Sequence, residues 1–181
     1  YYRGGEFYCE LVYPRIFVVY VLGDVLRPGP VEIAAPFRLD MIITAAGGVL
    51  DRGSLREIQV RDPDGNAKMY DLVRLQRLGE LAQNPMLHEG QSVFVPSRGG
   101  AAEVSGEVWR GASYEVVPGE TVMDLVHLSG GFTTNADRGR IVLERITREN
   151  EVSIIKLNEQ SADTTVVQDR DVIVVPDSRS F

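Results

Sequence analysis

The sequence predicts an α+β chain of two tandem β-grasp modules, each a small mixed sheet wrapping one helix. Three observations predict it. One set of sequence marks occurs twice at a shared spacing. Each set lays out as hairpin, helix, hairpin and closing strand within about 75 residues. The composition, 44% hydrophobic and 25% charged, is that of an ordinary folded chain. At 181 residues the chain can form two small domains, each able to bury a core of its own.

The repeat carries the prediction. Gly23 aligns with Gly106 and Arg27 with Arg110, both at an offset of 83 (106 − 23 and 110 − 27). At the same offset Leu39-Asp-Met-Ile-Ile-Thr-Ala-Ala-Gly-Gly48 matches Val122-Met-Asp-Leu-Val-His-Leu-Ser-Gly-Gly131. Ser92-Val-Phe-Val-Pro96 matches Val172-Ile-Val-Val-Pro176 at an offset of 80, so the middle of the repeat has drifted. The modules are placed at residues 16–97 and 102–177, joined by a short linker from Ser97 to Ala102. A linker that short predicts modules in contact, a stiff rod rather than beads on a string.

Within the first copy, Val18 to Val25 is an apolar, β-branched run and predicts a strand. Arg27-Pro28-Gly29 is turn chemistry leading to a short strand, Pro30 to Ile33. Leu39, Ile42, Ile43 and Ala46 recur at helical spacing and predict one buried helix face, repeated by Val122, Leu125, Val126 and Ser129. Thr121 with Asp124 resembles a capping box, whereas Arg38 gives the first helix no cap and predicts a looser start. Both helices end at a Gly-Gly pair suited to a left-handed cap. Third strands follow at Glu57–Arg61 and Arg140–Arg145. Asp62-Pro-Asp-Gly65 predicts a tight turn into a strand over Lys68–Leu72, residues 73–82 hold room for a short helix, and Ser92–Val95 closes the module.

The chemistry scan points away from catalysis. His88 and His127 are the only histidines and fall in different copies, and no HExxH, GxSxG or phosphate-loop motif occurs. The Gly-Gly pairs follow helices instead of opening them, so they form no phosphate cradle. Asp62-Pro-Asp-Gly lacks the ligand series of a calcium loop, and Asp169-Arg-Asp171 is expected to be a charged turn. The single cysteine, Cys9, excludes an internal disulfide, a thiolate metal cluster and an iron–sulfur centre, and does not decide the compartment. A net charge of −7 argues against nucleic acid as partner. No apolar run reaches the roughly 18 residues of a membrane span, and no signal peptide is recognisable. No catalytic, cofactor-binding or metal-binding residue is assigned. The candidate ligand or interface residues are Arg27 at the first hairpin tip and Trp109 and Arg110 at the second, because exposed Trp and Arg stack sugars or anchor interfaces. The structural alternative for Trp109 is a ring folded back over the helix end.

The marks Val21-Leu-Gly-Asp-Val-Leu-Arg-Pro-Gly29, Ala45-Ala-Gly-Gly48 and Leu87-His-Glu-Gly-Gln-Ser-Val-Phe-Val-Pro96 resemble the soluble-ligand-binding β-grasp (SLBB) module. Val104-Ser-Gly-Glu-Val108, Leu128-Ser-Gly-Gly131 and Asp171-Val-Ile-Val-Val-Pro176 match the same pattern a second time, although Arg110-Gly111 lacks the proline of the first turn. Tandem modules of this kind are similar to those of bacterial polysaccharide export proteins. The resemblance implies a periplasmic, outer-membrane-associated scaffold of capsule or exopolysaccharide export. It also implies a homo-oligomer or contacts with export-complex subunits, with polysaccharide as a further partner. That family's export domain and pore-forming C-terminal helix have no counterpart in these residues. The alternatives are a stand-alone protein binding a small ligand or oligosaccharide, and a piece of a respiratory-type flavoprotein subunit. The second of these sits poorly with a chain that has no cluster cysteines.

Overall fold

The computed structural model describes residues 10, 13, 15–34, 36–147 and 149–179; Cys9 lies outside them. The first module runs β1 (Ile16–Gly23), β2 (Gly29–Ala34), α1 (Leu39–Ala45), β3 (Ile58–Arg61), β4 (Ala67–Tyr70), α2 (Leu72–Leu78), a single 3-10 turn (Leu81–Gln83) and β5 (Ser92–Val95). The second runs β6 (Ala101–Gly106), β7 (Ala112–Glu115), α3 (Val122–Leu128), β8 (Ile141–Ile146), β9 (Val152–Leu157), α4 (Glu159–Ala162) and β10 (Val172–Val175). Each forms a five-stranded mixed sheet, ordered β2-β1-β5-β3-β4 and β7-β6-β10-β8-β9. The last strand of each module enters the centre of its sheet, parallel to the first strand and antiparallel to the third. Neither sheet is continuous until that strand is in place.

Each module has its own core. Val19 and Val21 of β1 meet Leu39, Ile42 and Ile43 of α1 in the first; Val104 meets Val122, Leu125 and Val126 of α3 in the second. The helix faces expected to be buried are buried in both copies, Ser129 included. β1 stops at Gly23 rather than Val25, for a local reason. Gly23 has φ +88°, and a Cβ there would stand 2.0 Å from the carbonyl oxygen of Val95. Gly106 repeats the arrangement, 2.1 Å from the oxygen of Val175. β4 likewise ends at Tyr70, because Asp71 caps α2 by accepting a hydrogen bond from the Arg74 amide at 2.9 Å.

Thr121 and Asp124 form the expected capping box. The start of α1 is held too, though not from its own sequence. The Asn84 side chain accepts from the Asp40 amide at 3.1 Å, and the carbonyl of Pro85 accepts from Leu39 at 3.0 Å. A residue 44 positions away supplies the cap that Arg38 lacks. Both helices end in the same doubly glycine-based cap: Gly48 donates to Ile43 and Gly131 to Val126, each at 2.9 Å.

The drift in the repeat has two sources. Lys68 opposite Val60 corresponds to Ile155 opposite Leu143, an offset of 87 (155 − 68), so the second β-hairpin is longer. The offset then falls to 80, because α4 is a four-residue turn where the first module has the seven-residue α2 and a 3-10 turn. The longer helix of the first module, α2, lies against α3 of its neighbour.

The expected charged turn stands ahead of β10, with one of its members buried: Asp171 is 1% exposed, and Arg145 donates to both its oxygens, at 2.9 and 2.6 Å. It also accepts from the Gln168 amide at 2.8 Å. In the first module Gln91 occupies this place, accepting from the His88 amide at 2.8 Å and donating to Asp62 at 2.7 Å. The position must tie the closing turn to the end of the third strand; an amide meets that need in one copy and a buried ion pair in the other.

Candidate functional site

The two modules are joined by more than their linker. Arg56, just ahead of β3, is 4% exposed. Its guanidinium donates to Asp71 at 2.9 Å within the first module. Across the junction it donates to the backbone oxygen of Glu115 at 2.5 Å and to both carboxylate oxygens of Glu120, one at 2.8 Å. Burial by itself favours loss of the proton. The hydrogen bonds it donates to Glu120 and the charges of Asp71 and Glu120 outweigh it, and the guanidinium is held above its ordinary pKa.

Glu115 accepts from the Ser54 hydroxyl and from the Gly99 amide, both at 3.0 Å, which pins the linker to the second module. Val73 of α2 packs against the second module's core, and α2 lies against α3. Among the described residues every buried side-chain nitrogen and oxygen has a partner. A fully satisfied buried charge cluster thus bridges the two modules, a connection that the glycine-rich linker does not supply by itself.

Beside this junction lies a groove of about 550 Å³. Arg74, Arg77 and Leu78 of α2 form one wall; His127 of α3, Gly130 and Arg110 form the other. Its two carboxylates are already engaged. Glu80 takes a two-pronged ion pair from Arg74, with a closest approach of 2.7 Å, and Asp124 serves the capping box of Thr121. Arg77, Arg110 and His127 make no ion pair or side-chain hydrogen bond among the described residues. The groove is therefore a cationic site in a chain whose net charge is −7.

Hydrogen bonds from Arg74 hold the Glu80 carboxyl below its usual 4.5. A depressed carboxylate adds stability that is complete above the unfolded value and is lost as pH falls through the folded one. A carbon-detected NMR titration is expected to place the Glu80 midpoint below 4.5. A midpoint at or above that value would mean the ion pair is absent in solution.

Of the three residues singled out in the sequence, Arg110 lines this groove, Trp109 neighbours it through Gly130 without lining it, and Arg27 lies elsewhere. Both hairpin tips dock by their backbones on the glycine caps: Leu26 donates to Gly48 and Arg27 to Ala46, as Trp109 does to Gly131 and Arg110 to Ser129. The Arg27 side chain then reaches back to the carbonyl of Ala45 at 3.3 Å, at the negative end of α1. Trp109 is 65% exposed and so is not folded into the core; its Cβ lies against Gly130 at the groove's edge. His127 stands on the exposed side of α3 inside the groove, and His88 is exposed in the closing turn. Arg56, Glu120 and Arg77 escaped sequence reasoning. The one available signal was that the repeat places Gly139 opposite Arg56, a charge kept in one copy only.

Residues 18–71 and 102–156 each match the SLBB domain. The chain belongs to the SLBB domain family. No curated protein shows a significant match to it. Both SLBB matches stop before the central strand of their sheet, β5 or β10, so the folding unit extends beyond the matched residues. SLBB domains are binding modules rather than catalytic ones, and this chain carries two of them. Among the described residues no three His, Cys, Asp or Glu side chains converge to hold a metal, and no helix is long and apolar enough to cross a membrane.

Proposed function

We propose that this chain is the scaffold and binding part of a capsular or exopolysaccharide export system, periplasmic and associated with the outer membrane. In this reading it works through contacts between copies or with other export subunits. One observation carries the reading: the two SLBB modules leave apolar sheet faces uncovered. On β1 the inward side chains Phe17, Val19 and Val21 are buried, yet the outward set Ile16, Val18, Tyr20 and Leu22 is apolar as well and exposed. A strand apolar on both sides is expected where both sides are covered. The outer face of the second sheet exposes Ile146, Val152 and Ile154 in the same way. Contiguous exposed apolar surface marks an interaction site, and one such face on each module suits a heterologous, ring- or stack-forming contact.

The test is light scattering after size exclusion across a concentration series. The parent chain is expected to form a defined oligomer as concentration rises, and Tyr20→Glu/Leu22→Glu is expected to remain monomeric with an unchanged melting temperature. A parent chain that stays monomeric at the highest concentration would overturn the scaffold reading. The second reading, a protein that binds a small ligand or oligosaccharide, is favoured by the cationic groove between the modules.

A further inference from the structure

We infer that the groove between the modules is a binding site for an acidic carbohydrate, whose carboxylate is received by Arg77 and Arg110. The ligand class rests on the binding role proposed above; the site rests on the groove itself. Its volume of about 550 Å³ falls within the range of small-ligand sites, roughly 300–1,000 Å³. One guanidinium comes from the end of α2 in the first module and the other from the hairpin tip of the second, so only the joined pair presents both. Neither has an acidic partner among the described residues, whereas Arg74 in the same groove is neutralised by Glu80. Planar guanidinium forks match the geometry of a carboxylate.

The other features narrow the ligand. Arg77 and Leu78 at the end of α2 and Gly130 and Gly131 just beyond α3 line the groove, together with Arg74 and Asp124 from the first turns of the two helices. Next to the groove residue Gly130 stands the Cβ of Trp109, a residue that is 65% exposed. An exposed indole next to polar groups gives the apolar face of a sugar ring something to stack on. His127 lines the same space, offering a hydrogen bond to a hydroxyl group. Cations, an aromatic neighbour and a hydroxyl partner together describe an acidic sugar better than a nucleotide or an apolar ligand.

Trp109 is the only tryptophan of the chain, so its fluorescence reports on this neighbourhood alone. The whole chain is titrated separately with trigalacturonate, uncharged maltotriose, glucose 6-phosphate and inorganic phosphate. Trigalacturonate is expected to give a saturable change that weakens with added salt. Arg77→Gln/Arg110→Gln is expected to lower its affinity by about tenfold or more, because two charge-assisted hydrogen bonds are lost. Equal binding of maltotriose, or binding of either phosphate probe without trigalacturonate, would overturn the assignment, as would no change with any probe. The double variant is also weighed by light scattering. An unchanged oligomer that no longer binds trigalacturonate supports the groove, and a variant that binds as the parent does overturns it, whichever way the scaffold test falls.

Discussion

Arg56→Ala is expected to lower the stability of the chain by about 3–5 kcal/mol, a fall in melting temperature of roughly 6–20 °C. The loss comes less from the four missing hydrogen bonds than from what they leave behind. Asp71 and Glu120 are both buried, and without the guanidinium two carboxylates face each other with no compensating charge. The same change cuts the connection between the modules. Calorimetry is expected to find one cooperative transition for the parent and two for the variant, because each module keeps its own core. Arg56→Lys keeps the charge but cannot reach Asp71, the Glu115 backbone and Glu120 at once, and an intermediate loss is expected. If Arg56→Ala melts within a degree of the parent in a single transition, the cluster does not hold the modules together.

The second large effect is expected at Gly23. Alanine there must adopt φ +88°, which costs about 1–2 kcal/mol, and must also place its Cβ 2.0 Å from the Val95 oxygen. That oxygen cannot retreat, because β5 is pinned between β1 and β3 at the centre of the sheet. A total loss above about 3 kcal/mol is expected in urea unfolding. Gly48→Ala provides the contrast. Its φ is also +88°, but nothing stands within 4 Å of the added carbon, so it should lose only the conformational part. Gly106→Ala should behave like Gly23→Ala, and Gly131→Ala like Gly48→Ala, since the second module repeats both geometries. Equal losses at Gly23 and Gly48 would show that the close approach to Val95 has no energetic weight.

Much of the candidate site was only half legible in the sequence. Arg110 and Trp109 were visible because a repeat draws attention to matched loop tips, and a Trp beside an Arg in a turn is uncommon chemistry. Arg77 and His127 looked like ordinary exposed residues of two separate helices. Their significance depends on α2 lying against α3, and α2 is longer than its counterpart α4 in the second copy. A drift in the repeat offset marked the place but not what it builds.

The sequence by itself determined the two β-grasp modules, their turns, the buried faces of α1 and α3 and the capping box of Thr121. These features follow from periodicity and turn chemistry within a few residues, which neighbouring positions in the chain record directly. The tertiary structure alone decided the rest. Asn84 caps a helix 44 positions away, Arg56 finds Glu120 across 64, and the outward face of β1 remains exposed even though its residues are as apolar as those facing the core. Burial and pairing depend on what the fold brings alongside. An arginine that ends in a buried cluster and one that ends in an open groove have the same local sequence signature, and only the packing of one module on the other distinguishes them.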